Sequence, residues 1–137
     1  MNDKTKGMLL VGGAAVLALV FLMFGAGKFV DPAKWIGKFT AWGIPTWFVP
    51  VSGAIELAGA VGLLIPILRG LAGLGLALFM IGAVATHVVH AEVAMIFVAG
   101  AILAGSAAVC WLRLPETLAF IGRGYSSKLM TVIDRTP

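Results

Sequence analysis

Residues 48–68 read FVPVSGAIELAGAVGLLIPIL, and in these 21 positions the only ionisable side chain is Glu56. One crossing of a bilayer takes roughly 20 predominantly apolar residues in helical form, so this stretch has the length and character of a membrane helix. Three further stretches share that character: residues 8–29, 71–89 and 93–112. Together they take up most of the 137 residues, of which 61% are hydrophobic and 12% charged. A soluble domain carries roughly half apolar and a quarter charged residues, and a water-facing surface cannot be assembled from this inventory. The expected fold class is an all-α membrane protein, a four-transmembrane-helix bundle in one domain, with a short interfacial helix between helices 1 and 2 and a cytoplasmic tail over 113–137.

The glycine content supports helices in lipid. Eighteen glycines would weaken helices in water, whereas membrane helices use small residues to bring backbones together. Barrel strands are excluded because the hydrophobicity is continuous instead of alternating. The N-terminus, with Lys4 and Lys6 before an apolar run and Gly25-Ala26-Gly27 after it, has some features of a secretory signal. Its apolar segment exceeds the roughly 7–15 residues of such signals and no A-x-A site follows, so it is read as the first span. With four crossings, Lys4, Lys6, Arg69, Arg113, Arg123, Lys128 and Arg135 share one side and Lys28, Lys34 and Lys38 the other. Basic residues gather on the cytoplasmic side, which puts both termini in the cytoplasm of a cell (inner) membrane protein. The net charge of +4 is therefore an orientation signal; no basic stripe on a soluble face exists for nucleic acid. The lone Cys110 excludes a C-x-x-C thiol pair and reads as a packing residue.

The connection between the first two spans has a pattern of its own. Asp31 can cap a helix opened by Pro32. Trp35, Phe39 and Trp42 then recur at i, i+4 and i+7 as an aromatic stripe, ended by Gly43, Pro45 and Pro50. With Trp47 and Phe48 this reads either as an anchor at the headgroup level or as a lid over a cavity. Pro66 with Arg69-Gly70, and His90-Ala91-Glu92, mark tight turns, so spans two, three and four should be sequential antiparallel neighbours. Pro115 is expected to end the last span. The tail beyond it mixes Leu118, Phe120, Ile121, Leu129 and Ile133 with basic residues, as suits the inner membrane surface or a docking partner.

Ionisable groups inside hydrocarbon are expensive and mark functional sites. Glu56 has Ser52, Gly53, Gly59 and Ala60 at helical neighbour spacings, so its carboxyl should face the bundle. His87 lies about a turn from the outer end of its span with His90 one turn above, and Lys28 ends the first span where its stem can bend either way. The candidate ligand-binding residues are Glu56, His87, Lys28, Ser52 and His90, a polar floor under an apolar cavity that could bind the carbonyl of a hydrophobic molecule or pass a proton. The competing reading is interhelical glue, and Ser52 and Thr86 also read as back-bonded to their own helices. His87 and His90, three apart, are a weak metal signal; no metal site is expected.

Four strings, FLMFGAGKF (21–29), the W-x3-F-x2-WGIP loop (35–45), SGAIELAGAVGLLIP (52–66) and ATHVVH (85–90), resemble in this order the DoxX and DoxX-like family of four-helix membrane proteins. The resemblance covers about residues 8–112. It implies that Lys28, Gly43-Ile44-Pro45, Glu56 and His87 match the family's own motif residues, while an arginine that many members carry early in helix one has no counterpart. It also implies a connection with quinol oxidation and thiosulfate-to-quinone electron transfer, or an accessory or assembly role. The leading expectation is a redox- or quinone-associated subunit binding a hydrophobic molecule around Glu56 and His87. A free-standing enzyme is not expected, and a quinone is the one cofactor the reading admits. Expected partners are the lipid bilayer and a membrane protein or a second copy. The alternatives are a non-catalytic accessory subunit and a small proton-coupled transporter.

Overall fold

The computed structural model describes residues 2–133; for Asp3, Lys6 and residues 124–133 it describes the backbone alone. Five helices follow in order: α1 (Asp3–Val30), α2 (Pro32–Ala41), α3 (Phe48–Leu64), α4 (Arg69–Val89) and α5 (Val93–Ile133), with no strand among the described residues. Segments Gly7–Val30, Arg69–Val89 and Val93–Arg123 are long and apolar enough to cross a membrane, and Phe48–Leu64 is a shorter apolar helix. Large side chains such as Met8, Leu19, Met23, Leu78 and Phe97 stand exposed around the outside, as expected where the solvent is acyl chain. The chain is a helical membrane protein.

Local chemistry fixes the helix ends. The Asp31 carboxylate accepts from the Lys34 amide at 3.3 Å, with Pro32 at the first helical position of α2. At its other end Gly43 takes φ +67°, while Gly43 N donates to Thr40 O and Ile44 N to Phe39 O. That pair of bonds is a Schellman closure, which needs a left-handed residue at this position and hence glycine. The α4–α5 turn closes the same way: Ala91 N donates to Val88 O and Glu92 N to His87 O. Here the left-handed position is occupied by Ala91, at φ 55°.

Two boundaries differ from the sequence reading. The second span stops at Leu64, four residues early. Pro66 has no N–H for the Gly62 carbonyl and forces its predecessor out of helical geometry, so Ile65 is extended at φ −87°, ψ 114°. Arg69 and Gly70, read as turn residues, begin α4. The buried Arg69 guanidinium covers the freed end of α3, with Nε donating to Leu63 O at 2.8 Å and Nη2 to Leu64 O at 3.5 Å. The second correction is larger: Pro115 does not end the last span, and α5 runs through it for 41 residues. A proline inside a helix removes one bond, here to the Trp111 carbonyl. Helical bonds on either side hold the rod together, and Gly70 packs onto the Leu114 backbone immediately before the proline. The tail residues Lys128, Leu129, Ile133 and Arg135, read as membrane-surface anchors, lie outside the described side chains.

The four long helices form a ring in the order α1, α3, α4, α5. Contact is most extensive between α4 and α5 and between α1 and α3, less between α3 and α4, and slightest between α5 and α1. The bundle is thus two tight pairs set side by side. Glycine makes the pairs tight: a Cβ on Gly73 would lie 2.8 Å from Cys110 N in α5, and one on Gly25 would lie 3.0 Å from Gly53 O in α3. The pairs meet where a Cβ on Gly62 would strike Ala72, one on Gly59 would strike Leu76, and Leu17 covers Gly105. Ala14, Ala18, Phe21, Ala60, Leu63, Leu76, Met80, Ala99 and Val109 form the core there. Nearer the α2 end, the space between the pairs is open.

Candidate functional site

That open space is a cavity of about 420 Å³. Its walls are mainly apolar, with Phe21 and Phe24 from α1, Phe79 and Ala83 from α4, and Met95 and Ala99 from α5. Trp35 and Phe39 of α2 close one end together with Trp42 and Ile44 just after it. Trp35, Phe39 and Trp42 thus belong to the cavity, and Phe39 is buried. Trp47 does not line it and is 65% exposed.

Lys28 and Glu56 meet at the α1–α3 wall. The ammonium of Lys28 is 2.5 Å from Glu56 Oε2, and both residues are buried, at 4% and 6% exposure. The sequence builds this contact one helical turn away. A Cβ on Gly53 would lie 3.2 Å from both Gly25 O and Lys28 Cβ, so the glycines bring the two backbones close, and Lys28 and Glu56 follow each at i+3. Of the two directions open to the Lys28 stem, it takes the inward one. Its ammonium also sits 4.4 Å from the Trp35 ring centroid, a cation–π contact. Three N–H donors and a single hydrogen-bond partner among the described residues leave it spare donor capacity beside the cavity. In either placement of the shared proton the pair is neutral overall.

His87 is buried at the cavity wall, but it does not bond to Glu56. Its Nδ1 lies 2.6 Å from Glu92 Oε2, and Trp42 Nε1 donates to Glu92 Oε1 at 3.2 Å. The Trp42 ring stands edge-on to His87 with centroids 5.4 Å apart. The hydrogen bond from His87 holds the Glu92 carboxyl below its usual range; partial desolvation opposes this, while Trp42 and Lys38 add to it. A carboxylate at Nδ1 fixes the proton there, so in the neutral ring Nε2 is an acceptor. The single Glu56–His87 cluster expected from sequence is therefore two separate pairs, Lys28–Glu56 and His87–Glu92, lining one cavity.

Ser52 lines the cavity, but its hydroxyl donates to Val49 O at 2.8 Å. Thr86 is likewise bonded to Gly82 O. His90 is outside the lining, with Nδ1 2.8 Å from Thr86 O and its ring 6.2 Å from Trp42. Sequence reading missed Glu92, assigned only to a turn, and Lys38, which lines the cavity. Glu92 was findable: a carboxylate five residues after a histidine, across a helix end, comes back over it when the helix closes with a 6→1 bond.

Comparison with known proteins agrees with the motif resemblance. No curated protein and no solved structure matches the chain. The family model described as the DoxX-like family matches residues 13–109, a segment holding Lys28, α2, Glu56, His87 and Glu92. That match covers well over half of the sequence and the whole of the cavity, and the chain belongs to the DoxX-like family.

Proposed function

We propose that this protein crosses the inner membrane four times, with both termini cytoplasmic, and holds a quinone-type molecule in the cavity between its helix pairs as a subunit of a redox system. One observation carries the reading: an apolar, aromatic-walled space of about 420 Å³ has the Lys28–Glu56 pair on one wall and His87 on another. Ligand cavities are mostly apolar with a few placed polar groups, and this one offers both kinds. Lys28 has donors for a carbonyl oxygen, and His87 Nε2 is an acceptor for a hydroxyl. A ring with oxygen atoms at opposite positions can use both in its hydroxyl form, accepting from Lys28 and donating to Nε2, while its carbonyl form is held through Lys28. A bound quinone would supply the electron-accepting chemistry. The chain's own residues orient it, exclude water through Phe39 and Trp42, and offer proton-holding groups at its oxygens. Electrons come from or go to a partner protein.

Topology enters the same reading. Lys28, Lys34 and Lys38 lie at the α2 end, while Arg69 begins α4 at the opposite end and Arg113 and Arg123 lie within α5 well beyond its start at Val93, which supports placing α2 outside. The test is retention of quinone through purification in mild detergent. Wild type should retain it and Glu56→Gln should retain several-fold less; equal retention by both removes the proposed role of the pair.

A second reading, an accessory subunit bound to another membrane protein, is favoured by α5. Its 41 residues extend about 60 Å at 1.5 Å per residue, twice the roughly 30 Å hydrocarbon core, so it reaches beyond the membrane. Recovery of a stoichiometric partner that survives Glu56→Gln and is lost on truncation after Arg123 would favour this reading.

A further inference from the structure

The seam between α3 and α4 is closed at one end and open at the other. On α4, Ala72, Leu76, Phe79, Ala83 and Thr86 follow one another at spacings of four and three, forming one face. The first two pack against Gly62 and Gly59 of α3. The last three line the cavity. The facing row on α3 runs Gly62, Gly59, Ile55, Ser52 and Phe48 at the mirrored spacing. It too changes from contact to cavity wall, with Ser52 and Phe48 among the lining residues. Beside this row, Leu78 and Gly82 line the cavity and are exposed, Leu78 at 61%. A Cβ on Gly82 would meet nothing within 4 Å. Lys38 at the α2 end and Val98 on α5 are the other exposed lining residues; Gly82 is the one among them without a side chain, and the sideways opening is placed past it.

Volume says what this opening is for. At about 30 Å³ per water-sized atom, a cavity of about 420 Å³ holds on the order of fourteen non-hydrogen atoms, which is a substituted ring and little more. The polar groups are inside, and the opening faces acyl chains.

Resting on the reading above, we infer that the ligand is a tailed, membrane-dissolved amphiphile: its head sits at Lys28–Glu56 and its chain leaves between α3 and α4 past Gly82 into the outer leaflet. Gly82 is then the position that decides whether a chain is accepted. It is glycine because the chain needs the space a side chain would occupy.

The experiment measures binding of two probes to protein in nanodiscs: a dimethoxy-methyl-benzoquinone without a tail, and the same ring with a decyl chain. Gly82→Phe is compared with wild type. Gly75→Phe is the control, since Gly75 has equal open space on the same helix but no place in the cavity lining. Gly82→Phe should bind the tail-less ring as wild type does and the decyl form at least tenfold more weakly, while Gly75→Phe should change neither. Comparison across variants cancels the partitioning of each probe into lipid. Equal effects on both probes, or no effect on either, overturn the route while leaving the site. Failure of wild type to bind either probe overturns the site reading and the route with it.

Discussion

Replacing Lys28 by Met should destabilise this protein more than replacing both members of its pair. The ammonium and carboxylate are 2.5 Å apart and more than nine-tenths buried, so Lys28→Met leaves Glu56 without its counter-charge in a low-dielectric wall. In water-soluble proteins such a loss costs about 3–5 kcal/mol. Interhelical hydrogen bonds in membranes measure lower, about 0.6 and at most about 1.7 kcal/mol, because the unfolded chain finds partners within the bilayer. Charge assistance about doubles a hydrogen bond, so the expected loss is about 2–3 kcal/mol for either Lys28→Met or Glu56→Gln. The double substitution removes both charges at once, leaving one neutral amide, and should sit within about 1 kcal/mol of wild type. The resulting coupling energy, about 3 kcal/mol or more, is read from SDS-driven unfolding in mixed micelles as a double-mutant cycle. A coupling below about 0.5 kcal/mol, with additive single effects, would refute the pairing.

Gly53→Ala should lose about 1–3 kcal/mol in the same assay, because its Cβ would lie 2.8 Å from Phe29 and 3.2 Å from Gly25 O, whereas Gly12→Ala, which meets nothing within 4 Å, should be neutral. Ala91→Gly should stabilise by up to about 1 kcal/mol, since alanine at φ 55° carries about 1–2 kcal/mol of left-handed strain against a smaller entropic cost of glycine; a loss would show that the turn is not strained. Glu92 is held below the usual carboxylate value of 4.5 chiefly by the hydrogen bond from His87. Its contribution is therefore present above that value and lost as pH falls through the lower folded one. Trp42 emission should show an acid transition below about 4.5 in wild type, and Glu92→Gln should lack that transition.

Much of the architecture is legible in the sequence because hydrocarbon imposes it. Continuous apolar length gives the crossings, and Asp31-Pro32 and Gly43 mark the ends of α2 through chemistry that is local. The helix through Pro115 is not legible: a proline costs one bond, and whether neighbours compensate depends on what packs there, here Gly70 against Leu114. Glu56, His87 and Lys28 stand out because they are ionisable in apolar surroundings. Their pairing does not, because it depends on rotation between helices. Spacing along α3 and α4 says that Glu56 and His87 both face inward, but only the close approach at Gly25 and Gly53 gives Glu56 to Lys28. Likewise the 6→1 closure at Ala91 gives His87 to Glu92. Spacing puts His90 one turn from His87, but its ring bonds back to Thr86 O, and of the anchor and lid readings of Trp47 its exposure leaves it outside the cavity.

Quinone contact with individual tryptophans tests the cavity most directly. Trp35 and Trp42 line it, while Trp47 and Trp111 do not, Trp111 being 83% exposed. In proteins retaining only Trp42 or only Trp111, titration with the decyl-tailed benzoquinone in nanodiscs should quench Trp42 saturably, and Glu56→Gln should shift that curve to higher concentration. Trp111 should show only the linear quenching of a lipid-dissolved quencher. Linear quenching of both tryptophans, unaffected by Glu56→Gln, would contradict the account.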